Sequence, residues 1–281
     1  MSTPPLPWLN ALATAVPDHD IHQAFIDWAT PRLTGDRVRA LFGRMAARSG
    51  IAHRWSVLPP TRDGGSPVAP GGFYDVPGLP PTSARMAAYA AHAPALAMQA
   101  IANLGDAFDA SRVTHIVVAS CTGFVAPGID QILARRLGLS PSVERVLIGF
   151  MGCYAGVTAL RTARHIVRSQ SDAVVLVVSV ELSTLHLQIE DQPEPMLAML
   201  QFSDGAAAGI VSARPGGFQL GDGISLALDD SADLILPCSP EDIAIAESFS
   251  DQPHFTIRAG APRDRPDGGG RQSVPPEIGA T

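Results

Sequence analysis

Phe150-Met151-Gly152-Cys153-Tyr154-Ala155-Gly156 sets one cysteine among small residues, where a strand pattern gives way to a helix pattern. Before it, Val143 to Gly149 reads as a short buried strand. After it, Val157, Leu160, Ala163, Ile166 and Val167 recur at the spacing of one helix face across Val157 to Arg168. Cys153 therefore opens a helix. At a helix start, unpaired backbone N–H groups and the positive end of the macrodipole favour a thiolate over a thiol, which makes the sulfur a nucleophile. Gly152 and Gly156 let backbone or substrate approach closely on both sides. The competing reading is a buried cysteine that packs as a small hydrophobe, because a G-C-x-A-G run is short.

Outward from this turn the pattern alternates. Val113 to Ala119 reads as a strand, Ile129 to Leu137 as a helix, Val143 to Gly149 as a strand, Cys153 to Ser169 as a helix and Ala173 to Val180 as a strand. Such alternation predicts parallel strands covered on both faces by helices. Further on, Pro195 to Gln201 reads as a short helix and Gly205 to Ser212 as a strand after an Asp204-Gly205 turn. Phe218 to Leu228 reads as one more strand or hairpin. Upstream, Asp18 to Ala29 and Asp36 to Ser49 read as helices, the second with Val38, Leu41, Phe42 and Met45 on one face and Gly50 as its stop. Arg44 and Arg48 share a face of it at i, i+4, either as a pair of guanidinium groups for one polyanion or as a solvated face. His53 to Leu58 is a candidate strand, Pro59 to Pro81 a proline- and glycine-rich loop, and Ser83 to Leu104 a long helix with an interruption risk at Pro94.

A chain of 281 residues that is 46% hydrophobic and 17% charged has the composition of an ordinary globular protein with a sizeable core. Its net charge of −7 argues against nucleic acid as a partner. The sequence has no lysine, so every basic side chain is an arginine, whose planar fork suits phosphate. The start has neither the basic nor the apolar region of a signal peptide, and no apolar run reaches membrane-spanning length, so no membrane association is expected. Cys121, Cys153 and Cys238 are odd in number and far apart, which fits neither a disulfide framework nor a zinc site. The expectation is a cytoplasmic protein without a metal. Beyond about Leu236 the character changes, and Arg258 to Thr281 reads as disordered.

Five motifs in one order give a further reading. They are Cys121-Thr122-Gly123-Phe124-Val125-Ala126-Pro127-Gly128-Ile129-Asp130; Leu137-Gly138-Leu139; Met151-Gly152-Cys153-Tyr154-Ala155-Gly156; Val180-Glu181-Leu182; and Phe202-Ser203-Asp204-Gly205-Ala206-Ala207-Ala208. Together they resemble the type III polyketide synthases, the chalcone and stilbene synthase family. The resemblance runs from about Ala13, in Ala13-Thr14-Ala15-Val16-Pro17, to about Ile235. It implies an α/β fold of the thiolase kind, layered αβαβα, with the first half in residues 1–215, the start of a second half in 216–235 and a divergent tail in 236–281. It also implies a homodimer. Cys153 then matches the family nucleophile, which takes an acyl group from coenzyme A as a thioester and extends it with malonyl units. Acyl-CoA and malonyl-CoA are its substrates, and no other cofactor is implied. Arg44 and Arg48 match basic positions that hold the CoA phosphates, and Leu41 stands where another basic residue is often found. Phe202 matches an aromatic gatekeeper. Cys121, Thr122, Ser183 and His186 match positions lining the cavity, with Cys121 shaping the pocket rather than reacting.

One departure stands against this. Family catalysis also uses a histidine in a His-Pro-Gly-Gly-like loop and an asparagine in a Gly-Asn turn, both from the second half. Neither motif occurs here: Asn10 and Asn103 are the sequence's only asparagines, and His165, His186 and His254 are the only histidines after Cys153. The expectation is a truncated or frame-shifted product with impaired turnover. The alternatives are a non-catalytic remnant that keeps CoA-binding or dimer surface, and an enzyme like ketoacyl synthase III, against which the Cys121 to Gly128 run and Phe202 speak. A Rossmann-type oxidoreductase is disfavoured, since no Gly-x-Gly-x-x-Gly opens a helix after the first parallel strand.

Overall fold

A computed structural model of the protein describes residues 5–225. Its centre is a six-stranded sheet in the order β5-β4-β6-β7-β1-β8. These strands are β1 (Trp8–Ala15), β4 (His115–Ala119), β5 (Glu144–Ile148), β6 (Val174–Leu182), β7 (Asp204–Ser212) and β8 (Phe218–Gln219). β4 pairs in parallel with both β5 and β6. By contrast, β7 runs antiparallel to β6 and to β1, and β8 antiparallel to β1. The three strands of the alternation are thus parallel as it predicts, and the sheet becomes mixed only through β7, β1 and β8, which lie outside the alternation and join antiparallel.

Side chains alternate across the sheet with period two, and each set meets its own helix layer. Ile116, Val118, Leu176, Val178 and Ile210 face one core with Tyr89, Ala93, Leu96 and Ala97 of α3 (Thr82–Ala102) and Leu133 of α4 (Ile129–Arg136). Val117, Ala119, Val175, Val177 and Val211 face the other, against Ala155, Ala159, Ala163 and Val167 of α5 (Ala155–Ser169). Among the described residues this is one helix–sheet–helix unit. Each fully buried Val or Ile of β4 stabilises it by about 1.5–3 kcal/mol. α3 continues through Pro94, which is itself buried, so packing of its apolar face offsets the missing N–H.

A smaller layer flanks the sheet: β2 (His19–Asp20) pairs with β3 (Trp55–Ser56), beside α1 (His22–Ala29), α2 (Asp36–Arg48) and α6 (Pro193–Gln201). Asp20 decides where α1 begins. Its Oδ1 accepts from His22 N (3.0 Å) and Arg54 N (3.1 Å), and its Oδ2 pairs with His53 Nδ1 (2.7 Å). Burial raises its pKa, but these bonds outweigh burial and hold it at about 2.

Several expectations are corrected. The helix expected from Asp18 starts at His22, and the strand expected over His53 to Leu58 shrinks to two residues. β1 carries no strand expectation at all, because its Leu, Asn and Ala are weak strand formers that the β7 ladder organises. β5 is not buried: it is the sheet's edge, with Leu147 48% exposed. The inward face of α5 is Ala155, Ala159, Ala163 and Val167, while Val157 is exposed, so small residues rather than the larger ones set the close packing. On α2, Phe42 and Ala46 are buried and Leu41 and Met45 are exposed. Asp204 is a buried first residue of β7, not a turn. The Phe218 to Leu228 strand is confined to β8 among the described residues. Cys238, His254 and the 236–281 tail lie outside them.

Candidate active site

The cysteine turn is built on unusual backbone. After β5, Phe150 takes φ 54° and Gly152 φ 68°, the left-handed region that glycine enters without penalty and phenylalanine does not. The Phe150 conformation costs roughly 1–3 kcal/mol. Residues Gly152–Tyr154 form a single 3₁₀ turn, and α5 starts at Ala155. Cys153 therefore stands just ahead of the helix rather than opening it, and it is exposed.

Its neighbour in space is the loop after β4. There Glu181, on β6, accepts from Cys121 N (2.9 Å), Thr122 N (2.9 Å) and Thr122 Oγ1 (2.7 Å). Thr122 Oγ1 in turn accepts from Leu182 N (2.8 Å), and Thr122 O accepts from His186 Nε2 (2.7 Å). A carbonyl only accepts, so His186 carries its proton on Nε2. Burial raises the Glu181 pKa, and the Thr122 and Cys121 donors partly offset it. The Cys121 thiol is also pushed up, by burial first and then by the Glu181 carboxylate, against backbone N–H groups of Met151, Gly152 and Phe150. Cys121 Sγ lies 4.0 Å from Gly152 O. The cysteine turn and the Cys121 loop thus touch through Cys121.

A cavity of about 350 Å³ opens beside this junction, within the range of roughly 300–1,000 Å³ usual for small-molecule sites. It brings together five of the expected residues: Cys121, Thr122, Ser183, His186 and Phe202. The rest of the wall is largely apolar, from Phe25 on α1, Leu58, Val68, Leu187 and Met199 on α6. Cys153 does not line it, and neither do Arg44 and Arg48, which lie exposed on α2. α2 packs against α6, the helix that Phe202 terminates.

Sequence alone does not single out three contributors. Glu181 stands there as one position of a motif, and its signal is a lone carboxylate near the end of the apolar run Val174–Leu182. Arg54 lines the cavity and donates from Nε to Phe202 O (2.7 Å). The Pro59 to Pro81 loop forms part of the wall through Pro67, Val68 and Tyr74, with Tyr74 Oη donating to Thr184 O (2.5 Å).

The two described thiols are expected to differ in reactivity. Brief treatment of folded protein with iodoacetamide should label exposed Cys153 first, whereas Cys121 is half-buried with a raised pKa and should need a pH above the ordinary thiol range. Peptide mass spectrometry reads the order, and modification of Cys121 first would overturn it.

Among the described residues no group of three His, Cys, Asp or Glu side chains is placed to hold a metal ion, and no helix is long and apolar enough to cross a membrane. Comparison with known proteins adds the following. The family profile "Chalcone and stilbene synthases, N-terminal domain" matches residues 7–215. The alpha-pyrone synthesis polyketide synthase-like Pks18 of Mycobacterium tuberculosis is 35% identical over 139 residues, 47% of this chain and 35% of that protein. The C-terminal type III polyketide synthase domain of Steely1 from Dictyostelium superposes with a TM-score of 0.66 at 27% identity, over 76% of this chain and 58% of that one. CsyB complexed with CoA-SH shares the fold, with a TM-score of 0.63 at 24% identity, over 76% of this chain and 58% of that one. In each case the chain matches less than two thirds of its relative.

Proposed function

Because the chain belongs to the chalcone and stilbene synthase family, whose N-terminal domain matches residues 7–215, we propose that it takes acyl groups from coenzyme A onto Cys153 as the first half of a polyketide-forming acyltransferase. The observation that carries this is the exposed Cys153 on a strained turn, joined through Cys121 to an apolar cavity. In the proposed step the Cys153 thiolate attacks the thioester carbonyl, a carbon–sulfur bond to Cys153 forms, and the bond to the CoA sulfur breaks. The CoA thiolate leaves and takes a proton from water. Phe202 and Thr122 border the space for the acyl chain, and Ser183 and His186 complete that side. The start of α5 supplies the positive dipole end near the sulfur.

Condensation with malonyl-CoA is the second half of the proposal, and here the remnant reading has its own support. The sequence offers no asparagine after Asn103 and no histidine in a family-like loop. Homodimerisation belongs to the same proposal, supported by the exposed apolar side chains Phe124, Leu147, Phe150 and Val157. So does a cytoplasmic location, in keeping with the free thiols Cys121 and Cys153.

Arg44 and Arg48 are proposed to hold CoA phosphates at the α2 edge beside α6, in keeping with the CoA-SH complex of the fold relative CsyB. Calorimetric titration with CoA should show the Arg44→Ala, Arg48→Ala double variant binding about tenfold or more weakly than the parent, as expected for charge-assisted contacts. Equal affinities would return these arginines to a solvated face.

A further inference from the structure

Arg54 is a buried side chain to which the proposed transfer assigns no role. It precedes β3, is 4% exposed and lines the cavity with Phe25, Leu58, Val68, Met199 and Phe202. Its guanidinium carbon sits 4.7 Å from the centre of the Phe25 ring, and its Nε is used by Phe202 O. Its Nη1 is buried and has no hydrogen-bond partner. Among the described residues none of the ion pairs includes Arg54; Asp204 and Asp20 act on its charge from beyond contact distance. A buried cationic donor without an acceptor is costly in a folded protein, and the cost is removed when a ligand oxygen supplies the acceptor. The apolar wall around it fixes what else that ligand must be. Glu190, the other formally charged side chain of the wall, is only half-buried, so water screens it as it cannot screen Arg54.

We propose that Arg54 is a binding residue for an oxygen acceptor, a carboxylate or a ketone, carried on an apolar chain that fills this cavity. This rests on the reading of the cavity as an acyl site, but it makes a claim of its own, since acyl transfer to Cys153 does not require Arg54 to touch the chain.

The test is titration of the full chain, without CoA, against three ligands with matched nonyl tails: decanoate, methyl nonyl ketone and nonyltrimethylammonium. Decanoate or the ketone should bind, and whichever binds identifies the acceptor as charged or neutral. The ammonium should bind at least about tenfold more weakly, although the net charge of −7 would draw it. Arg54→Met, which keeps an apolar stem, should lose at least about tenfold in affinity for the oxygen ligand, and Arg54→Lys should retain part of it. Failure of both oxygen ligands to bind, an ammonium that binds as well as they do, or an Arg54→Met protein that binds as tightly as the parent overturns the proposal. Should Arg54→Met not fold, the three-ligand comparison on the parent decides alone. Parent protein that binds decanoate but forms no acyl-enzyme leaves Arg54 standing and removes acyl transfer; the reverse pair of results does the opposite.

Discussion

Replacing Cys153 with alanine is expected to abolish covalent uptake of acyl groups from acyl-CoA, with no residual adduct by intact mass. The reason is chemical: of the two described thiols, only Cys153 stands exposed on the turn ahead of α5, and Cys121, though in the cavity wall, carries a raised pKa that keeps it a thiol near neutrality. The parent should gain one acyl mass per chain when mixed with acyl-CoA starters. Adding malonyl-CoA should leave it there. Losing one preorganised donor to a developing oxyanion typically lowers rates by about 10²–10³, and the sequence lacks both family groups for that step. Chromatography of extracts from a radiolabelled malonyl-CoA incubation would reveal a product. Steady multiple turnover by this chain would refute the claim of impairment, and an adduct surviving in Cys153→Ala would refute the nucleophile.

The largest stability effect is expected at Asp204. Its carboxylate is 2% exposed and accepts from Val57 N (2.8 Å), Thr184 N (2.8 Å) and Thr184 Oγ1 (2.7 Å). It thereby ties β7, the segment after β3 and the turn after β6 into one knot beside the cavity. Burial raises its pKa and those bonds partly offset the rise. Asp204→Ala leaves two buried backbone donors and a hydroxyl without an acceptor, at ~1–3 kcal/mol each, so a loss of ~3–5 kcal/mol is expected. For a domain of this size that lowers Tm by on the order of 10 °C. Asp204→Asn keeps one carbonyl oxygen and should fall between. Calorimetry reads both; a Tm for Asp204→Ala within experimental error of the parent would show that these bonds carry no net stability.

What the sequence made legible follows a physical division. The strands β4 and β6 and the helices α2 to α5 announce themselves because their side-chain periods are set locally. β1 does not, and although Gly205 to Ser212 reads as a strand its antiparallel pairing does not show, since that pairing joins residues near 10 to residues near 210. The cavity divides the same way. Cys121, Thr122 and Phe202 stand in the motifs, Ser183 and His186 follow from the same resemblance, and all five converge on it. Arg54 and Glu181 earn their places through contacts across 148 and 60 positions of chain, partners that no local pattern encodes, although the lone carboxylate in an apolar strand marks Glu181 as unusual. Phe150 is a third kind of case. Its φ of 54° is imposed by the turn on a residue type that gives no hint of it.

The register Trp8↔Ser212 also sets a timetable for synthesis. Ribosomes add roughly 5–20 residues per second, so the first strand to emerge waits on the order of 10–40 s for the partner that covers it. Towards the end of that interval, once β6 has emerged, it has its parallel neighbour β4 but lacks β7, and both β1 and β6 present open ladders of N–H and C=O groups. Open ladders of this kind are templates for pairing with any other extended segment. Any stop codon before residue 204 would release the chain with the gap between β6 and β1 still open.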